Sequence, residues 1–201
     1  MLVSVRIIAG RLRSRMLNAP AGLGTRPTSD RLRETLFNVL APRIEGAHVL
    51  DLYAGSGAVG MEALSRGAAQ VTFVERAPAA LSVLQGNLEK LGLSEGFRVY
   101  AGSVKTFLQR LKPEGSPGYD VIFLDPPYEA EEEYAGTLGL LGGGSGGWLA
   151  PGALVIVEHR SSRGRKELVQ ERYGRLKRTR LLEQGDAALS FYVGDAGESG
   201  E

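Results

Sequence analysis

The chain contains no cysteine, and this absence limits its chemistry. It excludes disulfide bonds, thiolate metal ligands and a cysteine nucleophile, and it fits a reducing compartment such as the cytoplasm. Histidine is nearly as scarce, because His48 and His159 stand far apart and offer no metal-site spacing. We therefore expect a cytoplasmic protein that needs no metal.

Long apolar stretches are also missing. No unbroken run approaches the roughly 18 residues of a membrane-spanning helix, although 43% of the residues are hydrophobic. The apolar stretch at the N-terminus is too short, and too many arginines follow it, for a secretory signal. The 201 residues suffice for one α/β domain with little room for a second.

Neither positive nor negative charge dominates the whole chain, whose net charge is +1. The charged residues are nevertheless unevenly distributed along it. Residues 1–50 carry eight arginines against three acidic residues, and residues 51–159 carry seven basic residues against thirteen acidic ones. All nine bases of the last segment lie between Arg160 and Arg180. Basic flanks suit a polyanion, because neutralised phosphates release counterions. Two solvated basic faces would give the same counts.

The first 45 residues form a basic extension. The stretch VRIIAGRLRSRML alternates as a β-hairpin does, with Gly10 near the turn and Arg11, Arg13 and Arg15 on one side of the second strand. The segment is short and basic, so we expect it to position phosphates rather than read much sequence. Such contacts suit an RNA whose surrounding shape supplies the specificity.

A helix is predicted after this hairpin, near Asp30. Thr28 or Ser29 can cap it, and Leu32, Leu36, Val39 and Leu40 make an apolar stripe. Two arginines lie off that stripe and a third precedes the helix. We expect these three to join the RNA surface: Arg26, Arg31 and Arg33.

From Ala47 onward, short apolar runs alternate with helical stretches, which indicates βαβ units and a parallel sheet. The stretches YGRLKRTRLL and AALSFYV, joined across Gly185 and Asp186, predict an antiparallel hairpin at the C-terminal end. We therefore predict a Rossmann-like α/β domain over residues 46–194, after the extension 1–45 and before a disordered tail, 195–201.

The stretch VLDLYAGSGAVG places a strand, the glycines Gly55, Gly57 and Gly60, and an apolar helix in succession. Glycines let backbone N–H groups approach a ligand, and the helix N-terminus adds positive partial charge. Glu75 follows Gly55 by twenty residues at the end of the next strand, where a carboxylate can accept ribose hydroxyls. This pattern predicts a pocket for a nucleotide-like cofactor.

Asp51 distinguishes two cofactors that such a pocket could hold. A carboxylate four residues before Gly55 helps little against the anionic pyrophosphate of NAD, but it can bind the cationic amino group of a methionine moiety. The sign of the charge favours S-adenosylmethionine. A loop-capping role for Asp51 is the alternative.

The stretch FLDPPY, Phe123 to Tyr128, ends the strand that we expect at the same carboxyl edge of the sheet. The Asp125 carboxylate and the Pro126 carbonyl can accept the two hydrogens of an exocyclic amino group, and the prolines, Pro126 and Pro127, hold the backbone rigid. Tyr128 can stack on the flipped base. Methylation of a base amino group fits these residues and needs no cysteine nucleophile, unlike methylation at a pyrimidine ring carbon.

The chain resembles the RsmD family, the bacterial methyltransferases that modify the exocyclic N2 of a guanine in small-subunit (16S) ribosomal RNA. The resemblance runs from about Val5 to Val193, and the stretch from Arg26 to Phe37 is its most particular part, since DPPY is shared with many amino-methylating enzymes. The matching stretches are RIIAGRLRSRML, TRPTSDRLRETLFNVL, LDLYAGSGAVGMEALSRGA, FLDPPY and WLAPGALVIVEH.

The resemblance implies a seven-stranded methyltransferase sheet, S-adenosylmethionine as donor, and the assembled or assembling small subunit as substrate for a monomeric enzyme. It implies that Asp125 to Tyr128 hold the target amine, and that the following residues hold the cofactor: Asp51, Tyr53, Gly55, Ser56, Gly57, Glu75 and Arg76. Where such enzymes often have an acid or amide for the adenine, this chain has Ser103 and Val104. The Ser103 hydroxyl or the Val104 backbone would then contact the adenine.

Three other functions remain open from the sequence. An adenine-N6 methyltransferase acting on DNA or another RNA would share DPPY, although DNA-modifying relatives usually add a sizeable target-recognition domain. An NAD-dependent oxidoreductase would share the glycine loop. A non-catalytic RNA-binding module would share the basic segments and bind RNA with strong salt dependence.

Overall fold

A computed structural model describes residues 2–20, 30–110, 118–127, 129–143, 147–162 and 167–194. The predicted tail, 195–201, and the predicted helix caps Thr28 and Ser29 lie outside these residues. The strands are β1 (Leu2–Arg6), β2 (Met16–Pro20), β3 (His48–Leu52), β4 (Gln70–Glu75), β5 (Phe97–Ala101), β6 (Tyr119–Leu124), β7 (Leu149–Arg160), β8 (Arg172–Tyr173), β9 (Leu176–Gln184) and β10 (Ala187–Gly194). The helices are α1 (Asp30–Leu40), α2 (Ala58–Ser65), α3 (Pro78–Lys90), α4 (Val104–Arg110) and α5 (Glu131–Gly143).

The main sheet has the strand order β5-β4-β3-β6-β7-β10-β9-β8. The first five strands in this order are parallel to one another, and β10 pairs antiparallel with both β7 and β9. The predicted α/β fold with a C-terminal antiparallel hairpin is therefore confirmed. The sheet has eight strands rather than the expected seven, because the two-residue β8 pairs with the start of β9.

The central strands are apolar without alternation because helices cover both faces of the sheet. Phe123 on β6 belongs to the hydrophobic cluster on one face, and Leu124 belongs to the cluster on the other. The first face carries α1, α2 and α3, and the second carries α4 and α5. None of the described helices is long and apolar enough to cross a membrane.

The N-terminal hairpin is confirmed, but its arginines are not where the alternation predicted. Strands β1 and β2 pair from Leu2 with Pro20 to Arg6 with Met16. Residues 11–14 form a turn and β2 begins at Met16, so Arg11, Arg13 and Arg15 all precede the second strand instead of lining one side of it. The inner side of the hairpin joins the hydrophobic core of the sheet through Val5, Ile7, Leu17 and Ala19.

Candidate active site

A cavity of about 290 Å³ opens at the carboxyl ends of β3, β4 and β6. Strand β3 lies between β4 and β6, so the chain order reverses beside it, which is where open α/β sheets bind their ligands. The cavity brings together most of the residues that the sequence predicted for cofactor and amine: Asp51, Tyr53, Gly55, Ser56, Glu75, Arg76, Val104, Asp125 and Pro127.

The glycine loop connects β3 to α2 through a tight turn. Gly55 and Gly57 have φ angles of 55° and 78°, in the left-handed region where glycine meets no penalty. Gly60 packs against Phe73 so closely that a side-chain carbon there would collide with the ring. Gly57 does not itself line the cavity; it is the N-cap residue of α2.

The Glu75 carboxylate is fixed by backbone donors at the end of β4. It accepts the Gly55 N–H at 2.8 Å, the Arg76 N–H at 2.8 Å and the Ala77 N–H at 2.7 Å. These bonds hold the acid against the glycine loop and leave it facing the cavity. A carboxylate has about four lone-pair positions, so it retains capacity for a ligand hydroxyl.

Asp51 is buried beneath the loop, and its Oδ2 accepts the Gly60 N–H at 2.9 Å. Asp51 therefore does cap the loop, as the alternative interpretation expected. Its side chain also lines the cavity. Burial raises the pKa of Asp51 to about 8, against the opposing effect of the Gly60 hydrogen bond. A buried acid with this pKa favours a cationic partner, because a positive charge would restore the ionised form.

Tyr53 has a φ angle of 62°, an uncommon conformation for a residue with a side chain. Its hydroxyl lies 2.8 Å from Glu133 Oε2 and 2.7 Å from Thr137 Oγ1, both on α5. Glu133 also meets the exposed Arg76 guanidinium at 3.4 Å, and both line the cavity. These contacts attach α5 to the ends of β3 and β4 at the cavity rim.

Ser103 does not line the cavity, and its hydroxyl has another role. Its Oγ accepts the Thr106 N–H at 3.1 Å and bonds the Thr106 hydroxyl at 2.8 Å, so Ser103 caps α4. The cavity wall at this point consists of Gly102 and Val104. Of the two predicted adenine contacts, the structure therefore places Val104 at the cavity and Ser103 outside it.

Asp125 follows β6 directly and lines the cavity. Its surroundings raise its pKa well above the ordinary value, first through desolvation and then through the negative charges of Glu158 and Asp51. Glu158 is buried on the neighbouring strand β7, one residue past the pairing of Leu124 with Val157. Three acidic side chains, those of Asp51, Asp125 and Glu158, thus lie at this part of the sheet edge.

The two prolines after Asp125 have different surroundings. Pro127 lines the cavity, and its carbonyl accepts the Ala130 N–H at 2.8 Å. Pro126 is buried and does not line the cavity, and its carbonyl accepts the hydroxyl hydrogen of the buried Tyr134 at 3.2 Å. That carbonyl keeps a second lone pair. Tyr128 lies outside the described residues.

Comparison with known proteins identifies the family. The model of a family described as Conserved hypothetical protein 95 matches residues 5–193. A relative named ribosomal RNA small subunit methyltransferase D, from Escherichia coli, is 44% identical over 162 residues, which are 80% of this chain and 77% of the relative. The chain belongs to the RsmD family of methyltransferases.

Solved structures of methyltransferases share the fold of this RsmD-family chain. A putative methyltransferase from Escherichia coli is 38% identical, with a TM-score of 0.79 and a match that covers 96% of this chain and 99% of that chain. A putative methyltransferase complexed with S-adenosylhomocysteine is 16% identical and shares the fold, with a TM-score of 0.68 over 90% of this chain and 54% of that chain.

Among the arginines that we assigned to RNA in this RsmD-family chain, Arg33 contradicts the prediction. Its side chain is 1% exposed, and its Nη2 donates to Asp30 Oδ1 at 2.9 Å and to the Arg6 carbonyl at 2.6 Å. Burial lowers its pKa despite the nearby Asp30 and Glu62 carboxylates. An arginine enclosed in this way stabilises the fold and has no access to RNA.

The other arginines lie at two places. Arg31 is exposed in the first turn of α1, and Arg26 lies outside the described residues. Arg11, Arg13 and Arg15 are exposed on the hairpin turn, which docks at the end of α2 remote from the glycine loop. Helix α2 has eight residues, so this turn lies roughly 12 Å along the helix from the cavity.

Sequence reasoning missed several cavity residues. Ala19, from the hairpin, lines the cavity, and so does Glu133. Tyr134 supports the Pro126 carbonyl from the same helix as Glu133. The run of three glutamates at the start of α5, two residues after DPPY, is a signal in the sequence for Glu133. Nothing local marks Ala19, because its place depends on how the hairpin packs.

No described group of three or more histidine, aspartate or glutamate side chains could hold a metal ion.

Proposed function

We propose that the protein transfers a methyl group from S-adenosylmethionine to the exocyclic N2 amine of a guanine in small-subunit ribosomal RNA. One observation carries the proposal: a single cavity joins the glycine loop, Glu75 and Asp51 to Asp125 of the DPPY motif. The name of the Escherichia coli relative supports ribosomal RNA of the small subunit as the substrate. Our proposal includes that the enzyme acts in the cytoplasm, as a monomer, on the assembled or assembling subunit.

The donor set of the cavity fits S-adenosylmethionine. Glu75 would accept the ribose hydroxyls, the glycine loop and Asp51 would hold the methionine part, and Val104 and Gly102 would border the adenine. The raised pKa of Asp51 supports this assignment, because the amino group of a methionine moiety supplies the missing positive charge. The S-adenosylhomocysteine complex of a protein with the same fold gives further support. The bound donor supplies a methyl group activated by a sulfonium centre.

Asp125 and Pro126 would orient the target nitrogen. An exocyclic amine is a poor nucleophile because its lone pair is delocalised into the ring. Acceptors for both of its hydrogens favour the pyramidal form and aim the lone pair at the methyl carbon. The N–C bond forms as the S–C bond breaks, and the S–C electron pair stays on sulfur. The nitrogen then loses a proton, which the Asp125 carboxylate can accept since its pKa is raised.

Methyl incorporation into three substrates tests the proposal. The protein is incubated with S-adenosylmethionine carrying a labelled methyl group and with unmodified small subunits, free small-subunit RNA or duplex DNA. We expect label in ribosomal RNA and none in DNA. Label in DNA would instead support the adenine-methylating alternative.

Asp125→Ala provides the matched control for this assay. We expect binding of S-adenosylhomocysteine close to that of the unchanged protein, and a loss of methyl transfer of about a hundredfold or more. Equal activity in this variant would contradict the proposed role of Asp125.

A further inference from the structure

Asn87 is fully buried on α3 and connects two elements that lie far apart in the sequence. Its Oδ1 accepts the Asn18 N–H of β2 at 2.8 Å. Its Nδ2 donates to the Asn18 carbonyl at 2.8 Å and to the Ser56 carbonyl of the glycine loop at 3.0 Å. One carboxamide therefore uses both of its N–H donors and its oxygen to join the hairpin to the glycine loop.

The hairpin is joined to the same region a second time, through α2. The Glu62 carboxylate accepts the Ile8 N–H at 2.7 Å and the Ala9 N–H at 3.0 Å. The Ser65 hydroxyl accepts the Leu12 N–H at 2.9 Å. Helix α2 follows the glycine loop directly. The hairpin is therefore connected to the loop through Asn87, and to the later part of α2 through Glu62 and Ser65.

The hairpin also forms part of the cavity wall directly, because Ala19 lines it next to the glycine loop. Ala19 follows Asn18, whose backbone groups are both bonded to Asn87. A displacement of β2 would therefore move a cavity wall and remove two of the three hydrogen bonds that fix the Asn87 carboxamide, the donor to the Ser56 carbonyl. The effect also runs from the loop to the hairpin. A ligand that fixes the glycine loop would fix the Asn87 side chain, and through it β2.

We propose that Asn87 is a positioning residue that couples docking of the N-terminal hairpin to binding of the cofactor. Cofactor binding would stabilise the docked hairpin, and hairpin docking would strengthen cofactor binding by the same factor, because such coupling is reciprocal. The identity of the cofactor and of the RNA rests on the proposed function. Under that function, RNA held by the docked hairpin and S-adenosylmethionine bind with positive cooperativity.

The first test uses the ligand-free full chain and hydrogen exchange of backbone amides. Asn87→Asp keeps the size and the acceptor for the Asn18 N–H but removes the NH₂ donor. Gln85→Ala, at an exposed position of the same helix, is the matched control. We expect faster exchange in both β2 and the glycine loop for Asn87→Asp, and unchanged exchange for Gln85→Ala.

A substitution far from Asn87 tests whether undocking of the hairpin loosens the glycine loop. A side-chain carbon at Gly10 would overlap the Ser65 carbonyl, so Gly10→Ala should undock the hairpin turn at the far end of α2. We expect faster exchange at the glycine-loop amides, with no further increase when Gly10→Ala is added to Asn87→Asp. If Gly10→Ala does not fold, Ser65→Ala removes the hydroxyl contacts more mildly. Unchanged glycine-loop exchange in the folded variant would overturn the coupling.

The second test adds S-adenosylhomocysteine as the probe. We expect it to slow exchange in β2 about fivefold or more in the unchanged protein, and to bind Asn87→Asp about tenfold more weakly without slowing β2. Equal affinity and equal β2 protection in Asn87→Asp would overturn the inference and leave Asn87 a structural residue. If the unchanged protein does not bind the probe, the proposed function fails, whereas the ligand-free comparison still decides whether Asn87 connects the hairpin to the glycine loop.

Discussion

Asp51 sets a charge requirement at the cavity. Its pKa of about 8 lies well above the value near 3.9 expected in an unfolded chain. An acid shifted in this direction stabilises the fold fully below the unfolded pKa, and that contribution is lost as the pH rises through the folded pKa. A cation bound beside Asp51 would lower this pKa again. Binding of a methionine moiety should therefore release a proton near neutral pH.

We predict that the affinity for S-adenosylhomocysteine rises from about pH 6 to about pH 7.5, by at most about tenfold per pH unit for one released proton. Calorimetry in two buffers of different ionisation enthalpy would count the protons. Asp51→Asn still accepts the Gly60 N–H but cannot ionise, so it should bind more weakly and with little pH dependence. The same pH dependence in Asp51→Asn would assign the released proton to another group.

Tyr134 fixes one of the two proposed acceptors of the target amine, because its hydroxyl donates to the Pro126 carbonyl. We predict that Tyr134→Phe lowers kcat about tenfold, because the carbonyl loses the donor that fixes its position. The affinity for S-adenosylhomocysteine should change less than about twofold. Steady-state kinetics and calorimetry would separate these effects.

Tyr192→Phe is the matched control for this change. Tyr192 is also buried, and its hydroxyl donates to the Gln170 carbonyl at 2.7 Å, but it does not line the cavity. We expect both variants to lose about 1 kcal/mol of stability. Equal kcat values for the two variants would remove Tyr134 from the catalytic geometry.

At the scale of elements, α1 contacts both the end of the hairpin strand β1 and the helix α2. Its Arg33 bonds the Arg6 carbonyl at the end of β1, and it lies 3.9 Å from Glu62 on α2, whose side chain is 0% exposed. Arg66 meets the same carboxylate at 2.7 Å. Buried charges are tolerated when they are paired and hydrogen-bonded, so this cluster holds three elements together.

The neighbouring arginines Arg33 and Arg31 allow a paired stability measurement. We predict that Arg33→Ala lowers the free energy of unfolding by about 3 kcal/mol, because Glu62 stays buried with one cation fewer. Arg31→Ala, at an exposed position, should change it by less than about 0.5 kcal/mol. Chemical denaturation measures both. Equal effects would mean that the Arg33 pair contributes nothing to the fold.

The hairpin turn with Arg11, Arg13 and Arg15 remains the predicted RNA-binding surface in the described extension, together with Arg31. We predict that replacing the three turn arginines with alanine weakens RNA binding and flattens its salt dependence. The slope of log affinity against log salt should fall by about 0.7 to 0.9 for each phosphate that the variant no longer neutralises. Filter binding over a series of potassium chloride concentrations would measure the slope. An unchanged slope would place the RNA elsewhere on the molecule.

Elements with a strong local pattern were predictable, and partners distant in sequence were not. The glycine loop and Asp125 follow apolar strands, so their meeting at one sheet edge follows from the parallel order. Arg33 was misassigned because α1 buries a wider face than its apolar stripe suggests, and Arg33 lies on that face against Arg6 of β1 and Glu62 of α2. Its partner Glu62 lies 29 positions away, and no periodicity reveals such a pair. The Asn87 bridge was equally hidden, since it joins positions 18, 56 and 87.

For the whole molecule, one sheet edge collects most of the proposed cofactor-binding residues and Asp125, and the hairpin extension belongs to the hydrophobic core on one face of the same sheet. The site is therefore not confined to one segment of the chain: β2, β3, β4, β6, α4 and α5 each contribute a wall or a flanking residue. Ribosomal RNA bound at this edge would have to extend to the hairpin arginines, whose turn docks at the end of α2 remote from the glycine loop. A large, shaped substrate could reach both, whereas a free nucleotide could not.

The central claim is that this cavity methylates the N2 amine of a guanine in small-subunit ribosomal RNA. Mass spectrometry of nucleosides, with mapping of the modified fragment, tests it most directly after unmodified small subunits are incubated with the protein and S-adenosylmethionine. The account predicts N2-methylguanosine at one position, absent when Asp125→Ala replaces the unchanged protein. A methyl group on adenine N6, or RNA left unmodified by a protein that binds the cofactor, would contradict it.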